Sequence, residues 1–496
     1  MKASRPVAGR LAELLAPFFA GPLPVRLRAW DGTEAGPADG PVVVVRSPET
    51  LRRLLWQPGE LGLAEAYITG GLDIEGDLAE GLGRAWGSVR DHGLHRPAPA
   101  QWARAAALAA GLGALGPPPR PPAVPRARLG GRPHSTARDR AAISHHYDLS
   151  NDFYRLLLDE SMAYSCGYWT RPGGPGYGLA DAQRDKLELI CRKLGLREGS
   201  RLLDVGCGWG SLALHAAREH RARVTAVTLS REQHAHVAAR IADEGLGDLV
   251  EVRLCHWRRI DGGGYDAVAA VEMGEHVGDA EYPAFAALLH GALRPRGRLL
   301  IQQMSRGAHA PGGGAFIETY IAPDMHMRPV GRTIALLEEA GLELRSAESL
   351  REHYARTIDA WRHTLTTRRD EFRALVGETT VRVWLLYLAG SSLAFSQRRM
   401  GVDQLLAVRP SHDGASGLER LPLDGESGLV RSAHGDGSGL VRRSPGGESG
   451  PELPSPEGAS GPELPSPEGA SGPERPSPDG PPDPEAASGP AGSGAR

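Results

Sequence analysis

Cysteine is scarce: Cys166, Cys191, Cys207 and Cys255 are the four in 496 residues. That number excludes a disulfide-stapled scaffold in a chain of this length. No CxxC pair occurs, which removes the usual framework of a structural zinc site. Long apolar runs are missing too. The best candidates, residues 103–116 and 384–395, are too short to span a bilayer. The opening Met1-Lys2-Ala3-Ser4-Arg5 leads into mixed sequence without the apolar core of a signal peptide. The expectation is a cytoplasmic protein with no membrane span.

A strong charge of either sign is also absent, at net −3, but the balance is uneven. Residues 410–496 hold 6 Arg and no Lys against 14 Asp and Glu, a net −8. The other 409 residues carry 51 basic against 46 acidic groups, a net +5. A mildly basic body does not call for nucleic acid and tolerates an anionic phospholipid surface.

Four segments follow from composition and pattern. Residues 1–93 read as a small α+β domain, with a strand at Val42–Val45 and helices at Glu49–Trp56 and Leu61–Thr69. Residues 94–140 read as a linker, because Gly116-Pro117-Pro118-Pro119-Arg120-Pro121-Pro122 cannot continue a helix. Arg120, Arg126, Arg128, Arg132, Arg138 and Arg140 make it basic, which fits a solvated tether or a membrane-surface contact. Residues 141–410 alternate strands and helices, the signature of a doubly wound, mostly parallel sheet. Expected strands are Arg201–Val205, Val224–Thr228, Val250–Leu254, Tyr265–Val271, Arg298–Gln303 and Leu342–Glu348. Residues 411–496 repeat Ser-Gly every 11 residues, and their Pro and Gly density forbids a helix, so they read as a disordered tail.

The chemistry centres on Asp204-Val205-Gly206-Cys207-Gly208-Trp209-Gly210, which follows an expected strand and opens a helix. Glycines let the backbone turn sharply and approach a ligand closely. The GxGxG spacing differs from the GxGxxG of dinucleotide folds. It resembles the first motif of class I S-adenosylmethionine methyltransferases.

Further motifs narrow the resemblance. They are His146-Tyr147-Asp148-Leu149-Ser150, Tyr164-Ser165-Cys166-Gly167, Thr228-Leu229-Ser230 with Gln233, Glu272-Met273-Gly274-Glu275-His276, and His353-Tyr354 before Trp361. Together they resemble the cyclopropane-fatty-acyl-phospholipid synthase and mycolic acid methyltransferase family over residues 140–410. The resemblance implies a class I methyltransferase (Rossmann-like) fold with helical insertions for lipid. It implies that Tyr147 and Ser150 close over S-adenosylmethionine and that Asp204, Gly206 and Gly208 surround its methionine part. Thr228, Ser230 and Gln233 would lie near the ribose and Trp257 near the adenine. Cys166, Glu275 and Tyr354 match residues that hold a bicarbonate base in the family.

The implied reaction methylates the double bond of an unsaturated acyl chain in phospholipid. An alkene is a weak nucleophile, so the methyl donor must be held in line with it. The resulting carbocation needs a dry pocket, where aromatic faces such as Tyr164, Tyr168 or Tyr354 can stabilise it. Removal of a proton then gives a cyclopropane or a branched alkene.

One departure matters. Gln302 stands where the family has its bicarbonate-holding His, and Met304 where it has Ile. A glutamine hydrogen-bonds but does not titrate near neutral pH. Bicarbonate is therefore an open question and Glu275 a candidate direct base. Gln302 points toward the actinobacterial members that install a mid-chain methylene branch, precursor of tuberculostearic-type acids, and work with a flavin-dependent reductase. The expected partners are thus phospholipid, the inner membrane face, that reductase and a second copy in a homodimer. No metal is expected, since the spacing of His145, His146 and His353 fits no standard site. The alternatives are a small-molecule O- or N-methyltransferase and a catalytically dead lipid-binding protein.

Overall fold

The computed structural model describes residues 6–19, 23–39, 41–93, 98–127, 129–132, 134–147, 151–307 and 312–418. The repeat segment from 419 onward lies outside the described residues, and with it the disordered-tail reading.

The N-terminal region forms a four-stranded sheet. Its strands are β1 (Arg26–Arg28), β2 (Glu34–Ala35), β3 (Val42–Val45) and β4 (Leu72–Glu75), in the order β2-β1-β3-β4. Helices Pro48–Trp56 and Glu60–Ile68 lie within two residues of the expected ones. After β4 comes a further helix, Leu78–His92, whose N-cap Asp77 accepts from the Glu80 N–H.

The main sheet has seven strands: β5 (Arg201–Val205), β6 (Arg223–Thr228), β7 (Val250–Leu254), β8 (Tyr265–Val271), β9 (Leu293–Arg306), β10 (Glu343–Ser349) and β11 (Met400–Val408). Their order is β10-β11-β9-β8-β5-β6-β7. All pairings from β7 to β9 are parallel, and only β11 runs antiparallel to its neighbours. Alternate residues face opposite layers, as a strand's period of two requires. Leu202, Ala267 and Leu300 pack under the helices Leu179–Leu194, Ser211–His220 and Arg231–Asp243. Leu203, Val205, Val268 and Ile301 pack against Phe285 and Leu289 of the Tyr282–Ala292 helix and Leu336 of the Val330–Glu339 helix. Both faces are covered, which is the doubly wound class I methyltransferase fold. The sheet order reverses between β5 and β8, so the crevice above their carboxyl ends is the natural ligand position.

A third, aromatic cluster fills the space between the sheet and the helices Arg351–Thr367 and Arg369–Ser396. Phe153, Tyr154, Trp209, Trp361, Phe372 and Trp384 are buried there. Among the described residues no helix is long and apolar enough to cross a membrane.

The tether expectation for residues 94–140 needs correction. Glu65, 1% exposed, pairs with Arg53 at 3.2 Å and with Arg126, and accepts from Tyr320 Oη at 3.0 Å. Arg138 forks onto Asp324 at 2.6 and 2.9 Å, and the Arg53 guanidinium donates to the Arg120 carbonyl at 2.7 Å. Arg126 and Arg138, which look solvated in sequence, are partners of carboxylates far along the chain. Proline here blocks regular structure without blocking packing. The segment also contains a helix, Pro99–Gly111.

Candidate active site

The glycine loop lies at the carboxyl end of β5. Gly206 (φ +83°), Gly208 (φ +55°) and Gly210 (φ +83°) all adopt the left-handed region that favours glycine. The Gly206 and Cys207 N–H groups both donate to the Val227 carbonyl, which ties the loop to β6. Asp204 is 2% exposed, and its Oδ2 is buried without a hydrogen-bond partner. Burial pushes its carboxyl up to about 7, opposed by the charge of Lys186. An orphaned buried carboxylate oxygen beside a glycine turn fits a ligand ammonium, such as that of a bound methionine moiety.

Gly206 has a different reason to be glycine from the one the ligand suggests. A Cβ built there would sit 2.7 Å from Met273 Cγ. The loop therefore abuts the turn after β8, and a side chain at 206 would strike protein first.

Thr228, Ser230 and Gln233 form one local network. Thr228 Oγ1 donates to Gln233 Oε1 at 2.7 Å, and the Ser230 N–H donates to Thr228 Oγ1 at 3.2 Å. Ser230 caps the Arg231–Asp243 helix through the Gln233 N–H. Trp257 is 5% exposed, edge-on to Phe285, with the Arg258 guanidinium 4.4 Å from its ring. Leu229, Trp257, Met273 and His276 line a small cavity at these strand ends, with Asp139 and Ala142 of the Thr136–Tyr147 helix closing it. Tyr147 ends that helix, but its side chain lies outside the described residues, as does Ser150.

The second half of the site converges on a residue not singled out in the sequence. Glu272 follows β8 with φ +51°, a strained value for a side chain of its kind. Its Oε1 accepts from the Cys166 N–H at 2.7 Å and from Gln302 Nε2 at 2.9 Å. Its Oε2 accepts from Tyr354 Oη at 2.6 Å. Burial raises the Glu272 carboxyl, and these three donors together with Lys186 pull it back. Cys166, Gln302 and Tyr354 are thus brought together, without Glu275, around a carboxylate of the chain itself. The thiol of Cys166 is pushed well up by burial and by the Glu272 charge, so it is no thiolate.

Glu275, the expected base, sits one 3₁₀ turn further on and touches none of these three groups. Its Oε1 accepts from the Met304 N–H at 2.6 Å, and its Oε2 is buried without a partner. Burial and the neighbouring Glu272 charge push it up to about 8, so it holds its proton at neutral pH.

Lys186 was also missed. It is 1% exposed on the inner face of the Leu179–Leu194 helix and donates to Ser165 Oγ at 2.8 Å. Burial lowers its ammonium, and the charges of Glu272, Asp159, Cys166 and Asp204 oppose that. A lone lysine among Ala182, Leu187 and Ile190 on a buried face was the available signal.

Around this centre, Tyr164 lies 5.2 Å from Trp361 and 6.2 Å from Trp384, and Tyr354 lies 4.6 Å from Phe395. Tyr168 is instead stacked on His353 at 4.7 Å, whose Nδ1 accepts from the Trp169 N–H. Among the described residues one group of metal-ligating type comes together, Cys191 with His215 and His220. There Glu188 already meets both imidazoles, at 3.4 and 2.9 Å.

A glycine-loop crevice with an orphaned acid, on a sheet of this order, defines a class I S-adenosylmethionine-dependent methyltransferase. The model of the mycolic acid cyclopropane synthetase family matches residues 134–405, and the chain belongs to that family. It is an S-adenosylmethionine-dependent methyltransferase acting on lipids. It is 37% identical over 413 residues to a probable fatty acid methyltransferase of Pseudomonas putida, covering 82% of this chain and 96% of that one. It is 34% identical over 422 residues to the tuberculostearic acid methyltransferase UfaA1 of Mycobacterium tuberculosis, covering 82% and 92%. Among solved structures, mycolic acid cyclopropane synthase CmaA1 complexed with SAH and CTAB matches at TM-score 0.51 and 31% identity, over 54% of this chain and 97% of that one.

Proposed function

We propose that the chain methylates the double bond of an unsaturated acyl chain in phospholipid and yields a methylene-branched product, with Glu272 as the base. One observation carries the reading. Three of the four groups at the family's bicarbonate positions, Cys166, Gln302 and Tyr354, bond the Glu272 carboxylate instead. The similarity to a tuberculostearic acid methyltransferase over most of both chains supports it.

Bound S-adenosylmethionine supplies an electrophilic methyl group on sulfur. The glycine loop and Asp204 would hold the donor's amino-acid end, and Leu229, Trp257 and Met273 would flank its adenine. The alkene π pair would form the new C–C bond to that methyl as the S–C bond breaks and its pair stays on sulfur, leaving the neutral thioether and a cation on the adjacent chain carbon. Tyr164, Tyr354 and Trp361 offer ring faces to that cation in a buried, water-excluding cluster. A hydride shift from the methylated carbon moves the cation onto it. Glu272 takes one proton from the new methyl group, and the C–H pair becomes the exocyclic double bond. A carboxylate held by three donors is a weak base, which suffices for a carbocation's proton.

An open cleft supports the acyl substrate. Arg155, Arg240 and Arg368 line it, and Leu158 and Met162 continue its floor into the aromatic cluster. A phospholipid at the inner membrane face would enter there. Conversion of the methylene to a methyl branch requires a hydride and a proton, the task of a separate flavin-dependent reductase.

The test is incubation with oleoyl phospholipid and S-adenosylmethionine, followed by NMR of the acyl chains. Exocyclic vinyl protons support the reading. Cyclopropane protons overturn the product assignment, and unchanged lipid overturns the substrate.

A further inference from the structure

We infer that Gln404 is a positioning residue that, through Gln302, dictates which end of an amide faces Glu272. The inference rests on Glu272 being the base. Gln302 on β9 and Gln404 on β11 are direct cross-strand partners, both buried at 1% exposure or less. Gln404 Nε2 donates to Gln302 Oε1 at 2.8 Å. Gln404 Oε1 in turn accepts from Lys193 Nζ at 2.7 Å, and Lys193 also pairs with Glu348.

The cation sets the direction of the whole row. An ammonium has donors only, so Gln404 has to turn its oxygen to Lys193 and its NH₂ to Gln302. Gln302 then has to turn its oxygen to Gln404 and its NH₂ to Glu272. The remaining hydrogen of that NH₂ faces the Cys166 carbonyl at 3.4 Å. Without the row, a half-turn of the Gln302 amide would set its oxygen against the carboxylate, lone pair against lone pair. Lys193 is 15% exposed and Glu348 37% exposed, so a near-surface ion pair orients a group at the centre of the site.

The other groups facing Glu272 are independent of residue 404. They are the Tyr354 hydroxyl, the Cys166 N–H and thiol, the Lys186 ammonium and the Glu275 carboxyl. A change at 404 or 193 therefore removes one donor and leaves those in place.

The experiment is the pH dependence of kcat for Gln404→Leu and Lys193→Met on oleoyl phospholipid. Glu272 works ionised, so the rate rises with pH through its pKa. A lost donor raises a carboxyl pKa, and the acidic limb should move to higher pH. A shift of about one unit lowers kcat about tenfold below the limb, with the curves converging above it. Lys193→Met should move the limb the same way by less, and it leaves both buried glutamines in place should Gln404→Leu fold poorly. Cofactor affinity should be unchanged in both. A uniform loss at every pH, or a limb that stays put, would show Gln404 to be a packing partner only. Glu272→Gln separates the two layers of the argument. Full turnover in that variant overturns the base itself. An inactive Glu272→Gln beside an unmoved Gln404→Leu limb overturns only the inference about Gln404.

Discussion

The β5–β6–β7 side of the main sheet and its β9–β11–β10 side build their halves of the site in opposite ways. On the cofactor side, one side-chain network closes within a few residues of one chain segment. Thr228, Ser230 and Gln233 satisfy one another across five positions, and the glycine loop turns between β5 and the helix that follows it. On the reaction side, no network is local. Cys166, Glu272, Gln302, Tyr354 and Gln404 come from five separate elements and meet through single hydrogen bonds. Local networks are specified by spacing and turn chemistry. Long-range ones exist only once the sheet has its order.

Four changes would break or sharpen that contrast. Glu272→Gln should have the largest effect, lowering kcat by about 10²–10⁴-fold while leaving cofactor affinity near normal. Isothermal titration with S-adenosylhomocysteine beside a turnover assay reads both, and a matching loss of affinity would erase the division into halves. Trp361→Ala should cost about 3–5 kcal/mol of stability, because the indole is 1% exposed in the aromatic cluster. Chemical denaturation measures it, and a loss below about 1 kcal/mol would mean the cluster is loosely packed.

Asp204→Asn should weaken cofactor binding about 10–100-fold, the range of one charged hydrogen bond. Its kcat at saturating cofactor should hardly move, and a collapse of saturated kcat would place Asp204 on the reaction side. Glu275→Gln should have the smallest effect, visible in stability against pH. The folded carboxyl titrates near 8 against an ordinary 4.5, so the native state holds this proton longer than the unfolded chain. Its contribution is complete below about 4.5 and is lost as pH rises through about 8. Wild-type melting temperature should therefore carry a downward component from pH 5 to 8 that Glu275→Gln lacks. Identical slopes would mean that Glu275 is ionised in the fold.

The contrast also explains what was legible beforehand. β5, β7, β8 and the Ser211–His220 helix fall where periodicity and the glycine turn place them. β11 carried no such sign, because Val402–Val408 is buried without interruption and lacks the alternation of a half-exposed strand. Glu275 and Glu272 lie three residues apart in one motif, and spacing alone does not say which carboxyl meets Tyr354. Arg126 and Arg138 looked solvated because Glu65 and Asp324, their partners, lie far away in sequence.

By itself the sequence determined the strand–helix alternation, the glycine turn with its acid and the family motifs, since these are encoded by neighbours along the chain. The tertiary structure alone decided which carboxylate receives Cys166, Gln302 and Tyr354, and which lysine orients the amides behind them. Those choices depend on β11 lying between β9 and β10, and a buried charge is tolerated only where such distant donors converge on it.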